Sequence, residues 1–147
     1  MASKSDQTSY EHRGYVARLV HQAQSAMVAS LDEALAPFDL SAAQYVILST
    51  LASGRADTAA QICKDISYSP GAMTRMLNRL EEKGLIVRTE FPDNRRMNKL
   101  ELSERGRSAF PAMLACSSRV IDRYFGAFDP NELRQLEALL NKMMQCS

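Results

Sequence analysis

SPGAMTRMLNRLEEKGLIVRTEFPDNRRMNK, residues Ser69 to Lys99, decides the fold, because it reads as one short helix running directly into a basic β-hairpin. Ser69 can cap the helix N-terminus. Pro70 has the fixed φ and missing N–H that the first helical position tolerates, and Lys83-Gly84 supplies the stop. A helix over 70–83 is therefore predicted. Met73, Met76, Leu77 and Leu80 recur at i, i+3, i+4 and i+7, so one stripe is apolar and must pack on something. Thr74, Arg75, Asn78 and Arg79 point elsewhere. Their cationic and amide groups are the types that bond phosphates and base edges, and with Ser69 at the helix start they form a candidate DNA-binding set. Such a face alone is ordinarily just solvated; the hairpin that follows raises its significance.

Leu85 to Glu90 is short and β-branched, Phe91-Pro92-Asp93-Asn94 carries turn chemistry, and Met97 to Leu102 returns as a second strand, which makes 85–102 a wing. Arg95 and Arg96 fall near its tip. A lone hairpin is barely stable in water, so this one must lean on neighbouring helices.

Outward from this stretch, the pattern is helical. Val16, Leu19, Val20, Ala23, Met27, Leu31 and Leu35 keep helical spacing from Tyr10 to about Ala36, roughly seven turns, and Pro37 ends the run. That stripe is longer than a small winged domain could cover. Met1 to Thr8 is small and polar and is expected to be a frayed end. Ser41-Ala42-Ala43-Gln44 fits a capping box opening a second helix to about Ser53, and Thr58-Ala59-Ala60-Gln61 fits another opening a short third helix. Ser67-Tyr68-Ser69 joins the third helix to the fourth with helix-turn-helix spacing. After the wing, Phe110, Met113, Leu114, Val120, Ile121, Tyr124 and Phe125 mark a further helix, in which Pro111 should produce a bend or an adjusted first segment. Asp129-Pro130-Asn131-Glu132 caps a strongly amphipathic last helix. The chain is thus mainly α (α+β): a winged helix-turn-helix at 41–102 between long terminal helices at 10–36 and 103–147.

Composition narrows function. The formal net charge of the 147-residue chain is +1, so it is no indiscriminate polycation. The positive charge is concentrated instead: Thr58 to Lys99 holds eight basic and five acidic residues, +3 locally against −2 elsewhere. Cys63, Cys116 and Cys146 are odd in number and widely spaced, which argues against a disulfide framework or structural zinc and suits a reducing cytoplasm. No apolar run approaches a membrane span, and no cofactor motif appears.

Together these segments resemble the MarR family, the multiple-antibiotic-resistance type of bacterial transcriptional regulator. The likeness runs from about Val16 to Met144. It is carried by Leu40 to Gln44, Thr74-Arg75, Leu80-Glu81-Glu82-Lys83-Gly84-Leu85-Ile86, Asp93-Asn94-Arg95-Arg96 and Leu102 to Gly106. The resemblance implies that 1–147 is a single domain of this type and forms a homodimer through its terminal helices. It further implies a double-stranded operator as partner, with Arg95 in the minor groove oriented by Asp93, and release by a small, often aromatic-acid effector. Narrow minor grooves do attract arginine, and a carboxylate can hold a guanidinium. Arg18 and His21 on the first helix and Tyr45 on the second are the candidate effector residues; solvation or core packing is the more ordinary explanation of each.

Three alternatives stand beside this reading. An enzyme would need chemistry that His12 and His21 on one helix do not supply, since G-x-S-x-G, H-E-x-x-H and phosphate-binding glycine loops are all missing. A protein-binding adaptor would use the amphipathic helices but has no need of an arginine-bearing wing. A redox-sensing regulator of the peroxide-responsive kind would carry a cysteine near the start of its first helix, where this chain has none.

Overall fold

The computed structural model describes residues 4–66 and 68–146. Along them run α1 (Lys4–Leu35), a 3-10 turn (Ala36–Phe38), α2 (Ala42–Ala52), α3 (Ala59–Ile66), α4 (Pro70–Glu82), β1 (Ile86–Phe91), β2 (Asn94–Leu102), α5 (Glu104–Phe125) and α6 (Pro130–Met144). The two strands form one antiparallel sheet. The expected order of elements is the observed one. Met1–Ser3 lie outside the described residues, but the frayed end expected through Thr8 is not found: α1 is already helical at Lys4. Ser67, in the expected turn between α3 and α4, also lies outside them.

Caps explain most of the boundaries. Ser41 accepts a hydrogen bond from the Gln44 N–H, and the Gln44 side chain accepts from the Ser41 N–H, a complete capping box. Asp129 and Glu132 form the same reciprocal pair at α6, with Pro130 in its first turn. At α3 only half of the expected box forms. Thr58 Oγ1 accepts from the Gln61 N–H at 3.3 Å, but Gln61 Oε1 accepts from Asp57 N–H rather than from Thr58. α5 continues through Pro111 to Phe125 without interruption.

By internal contacts the chain divides into two units, residues 31–117 and residues 1–30 with 118–147. The first holds a continuous core in which Leu35, Ile47, Leu48, Ile62, Met73, Leu77, Leu80, Ile86, Leu100, Leu102 and Met113 are buried. The apolar stripe of α4 supplies three of these, as its periodicity demands. The wing is anchored to the same core. Leu100 N–H donates to the Asp57 carbonyl at 2.7 Å, and Ile86 pairs with Leu102 at the root of the hairpin.

A tight junction joins the end of α4 to the start of α5. Gly84, with φ +70°, ends α4 in a left-handed turn that lets Leu85 N–H reach back to the Leu80 carbonyl at 3.0 Å. Ser103 then closes the junction, its hydroxyl donating to the Gly84 carbonyl at 2.6 Å and its N–H to the Leu85 carbonyl at 2.9 Å. Gly106 packs directly on Leu85, where a Cβ would lie 3.1 Å from the carbonyl carbon and closer still to its oxygen.

The second unit contains the outer parts of α1 and α5 together with α6. Ser30 and Tyr124 share a hydrogen bond of 2.8 Å, and Val120 is buried. Several apolar side chains of the amphipathic α6 stay in solvent, Leu139 at 65% exposure and Leu140 and Met143 less so. No single helix among the described residues is long and apolar enough to cross a membrane.

Candidate nucleic-acid interface

Burying Met73, Leu77 and Leu80 forces the rest of α4 outward, and 100° per residue fixes which side chains go where. Gly71, Arg75 and Asn78 occupy the middle of the solvent face in the first turns, with Glu82 at its far end. Thr74 lies on the flank nearer β1 and Arg79 on the opposite flank. Ser69 caps the helix by accepting from Ala72 N–H at 3.2 Å, so its oxygen is engaged in starting the helix. Thr74 donates its hydroxyl to the Pro70 carbonyl at 2.9 Å, which leaves its methyl and lone pairs outward. A Cβ on Gly71 would be 4.0 Å from Arg75 Nη1. The Arg75 guanidinium therefore lies over the first turn of α4.

Arg79 faces a groove of about 460 Å³ that also borders Asp39, Ser41 and Lys83. Lys83 is committed there: its ammonium donates to the Asp39 carbonyl and lies 3.1 Å from the Asp39 carboxylate. It fixes the end of α4 to the turn before α2.

The wing has an irregular tip. Pairing runs evenly from Ile86↔Leu102 to Glu90↔Asn98 and then jumps to Phe91↔Asn94. Arg95, Arg96 and Met97 are thus extra residues on β2 opposite a single step of β1, a bulge that turns their side chains out of the ladder. All three are exposed. Neither turn residue, Pro92 or Asp93, has positive φ. A two-residue turn of that kind splays strands, and the bulge takes up the mismatch. Asp93 forms no ion pair with Arg95 among the described residues; Asn94 Oδ1 shapes the tip instead, accepting from Arg96 N–H at 3.1 Å. Lys99 is held above the usual lysine range by the hydrogen bond and charge of Glu101, 3.0 Å away.

Sequence reasoning missed Arg88. It occupies β1 on the same face as Ile86 and opposite Leu100, which turns it toward α4 rather than to solvent. Its Nη2 donates to Asn78 Oδ1 at 2.6 Å, and its Nε lies 3.0 Å from Glu81 Oε2, an ion-pair contact outside linear hydrogen-bond geometry. Strand alternation held the signal: a cation at an inward register position must find partners. Arg88 and Arg96 also border one hollow of about 240 Å³ beneath the wing.

The candidate effector residues have separate settings. Arg18 is exposed, its guanidinium 5.8 Å from the centroid of the Tyr15 ring, and His21 is exposed. Tyr45 is only 6% exposed and stacks on Phe110 at 6.1 Å. Among the described residues no group of three or more His, Cys, Asp or Glu side chains is arranged to hold a metal.

The MarR family model matches residues 40–97, from the start of α2 to the wing. The HTH-type transcriptional repressor MdtR of Bacillus subtilis is 30% identical over 105 residues, 71% of this chain and 68% of that protein. A cysteine-to-serine mutant of Escherichia coli MarR, solved in complex with operator DNA, is 28% identical with a TM-score of 0.74, over 87% of this chain and 92% of that one. BpsR of Bordetella bronchiseptica, whose DNA binding is regulated by 6-hydroxynicotinic acid, is 25% identical with a TM-score of 0.77, over 88% and 92% of the two chains.

Proposed function

The chain belongs to the MarR family of DNA-binding winged-helix transcription regulators, and from that premise we propose that it is an effector-released repressor acting as a homodimer on a pseudo-palindromic operator. One observation carries the DNA-reading part. The open face of α4 presents Arg75 and Asn78, and Arg88 ties that helix to a wing whose bulge carries Arg95 and Arg96. The helix reads base edges, and the wing arginines supply phosphate and minor-groove contacts. The solvent-exposed apolar side chains of α6 support a two-fold interface, since burying Leu139, Leu140 and Met143 against a second copy removes them from water. Repression is supported by the relative MdtR, and release by a small aromatic acid by the likeness to BpsR.

The test is selection from duplexes with a randomised centre of roughly 20 base pairs, two half-sites one helical turn apart. A two-fold consensus is expected, together with a sedimenting species of twice 16.4 kDa. Recovery of random sequence, or a monomer at micromolar concentration, overturns the reading. Within the consensus, Arg75→Ala should cost about tenfold in affinity and relax discrimination at one position per half-site, the expected size of one lost base contact.

Arg18 and His21 are proposed as effector residues, with the Arg18 guanidinium pairing with an organic carboxylate. Titrating aromatic acids into a preformed DNA complex measures the concentration for half release. Arg18→Ala should raise that concentration about tenfold, the size of one charge-assisted hydrogen bond; an unchanged value removes Arg18 from the site.

A further inference from the structure

Asn78 is exposed on the reading face of α4, yet its amide is not free to rotate. Arg88 Nη2 lies 2.6 Å from it, and a guanidinium carries donors only, so the amide atom facing Arg88 must be the oxygen. Arg88 is itself restrained, since Glu81 Oε2 lies 3.0 Å from its Nε and its side chain is only 29% exposed. The contact comes from the inward face of β1, so the strand dictates which end of the amide turns outward.

From this geometry, and resting on the DNA-binding reading of α4, we infer that Arg88 is a specificity-determining positioning residue that makes Asn78 select guanine rather than adenine. Asparagine reads adenine by accepting from N6 while donating to N7, which requires its oxygen to face the base. Here Arg88 takes one lone pair of the oxygen and holds that end of the amide toward β1, so the Nδ2 amino group, with two hydrogens, is what Asn78 presents to the open face. Guanine answers that group with two adjacent acceptors, N7 and O6. Adenine accepts only at N7 and sets its N6 donor beside it, thymine offers the single acceptor O4, and cytosine a donor alone. The two partners of Arg88 come from successive turns of α4, so the orientation is set before DNA arrives.

The experiment selects full-length wild type, Asn78→Ala and Arg88→Met against the same randomised duplexes, with thermal melts to show that each variant folds. Wild type should enrich guanine at one position in each half-site, and Asn78→Ala should lose that preference and no other. Arg88→Met, which frees the amide, should shift that position toward adenine by about tenfold in the guanine-to-adenine ratio. A structural role for Arg88 would lower affinity without changing which base is chosen. An adenine preference in wild type at the Asn78-dependent position overturns the inference whatever the Arg88 variant does. So does a base preference unmoved by a folded Arg88→Met protein, or Asn78→Ala leaving every position intact. Failure of wild type to select any consensus strikes the DNA-binding reading itself, a separate and recognisable outcome.

Discussion

Replacing Arg95 and Arg96 together by alanine is expected to weaken binding to an operator about a hundredfold at low salt. Hydrogen bonds to charged groups contribute about 1.5–3 kcal/mol each, so losing two such contacts removes roughly 3 kcal/mol, a factor of 100 or more. The loss should extend to scrambled duplexes, because cations that approach phosphates act largely without regard to sequence. Salt dependence provides the sharper measurement. Each neutralised phosphate contributes about 0.9 to the slope of log affinity against log salt, so the double variant should flatten that slope by roughly two. The bulge places both residues outside the regular ladder, and both are exposed, so the fold should survive the change. An unchanged affinity and slope would remove the wing from the interface and leave α4 to bind alone.

Gly106→Ala should destabilise the protein by about 2 kcal/mol, against the usual trend for a helix. Glycine to alanine inside a helix ordinarily gains about 1 kcal/mol. Here the new methyl would meet the Leu85 carbonyl, a backbone group held by the Ser103 N–H and unable to turn aside. Overpacking against fixed atoms costs about 1–3 kcal/mol, and the severity of this overlap puts it at the upper end, outweighing the propensity gain. Urea titration monitored by far-ultraviolet circular dichroism measures the change. A stabilised Gly106→Ala protein would mean that the contact between α5 and Leu85 is looser than the structure shows. The variant should also bind DNA more weakly than its folded fraction accounts for, because the same junction holds the end of α4.

Much of this was legible in the sequence because helix ends are local chemistry. Ser41 with Gln44, Ser69 with Pro70, and Asp129 with Glu132 announce their helices from neighbouring residues, and the structure forms each cap. The start of α1 was not legible. Lys4 to Thr8 is helical although its sequence carries no apolar stripe, and without one periodicity gives no signal. The half-formed box at Thr58 was misread for a related reason: Asp57 and Thr58 both offer an N–H to Gln61, and only the path of the backbone decides between them. The solvent-facing residues of α4 followed from its buried stripe. Arg88 did not, because its partners are 7 and 10 positions back on another element, a distance set by how the wing folds under α4.

The slack in β2 has an evolutionary consequence. Three residues of bulge lie between two well-registered pairs, so an inserted or deleted residue among Arg95, Arg96 and Met97 changes the reach of the arginines and nothing at the root of the hairpin. Between Asn98 and Leu102 the same event would rotate Leu100 and Leu102 out of the core and Arg88 away from its opposite number, since side chains alternate with period two. The tip can therefore vary in length under selection for new operators while the hydrophobic register beneath it stays fixed. Related chains that read different DNA should differ in length at this tip sooner than anywhere else in the sheet.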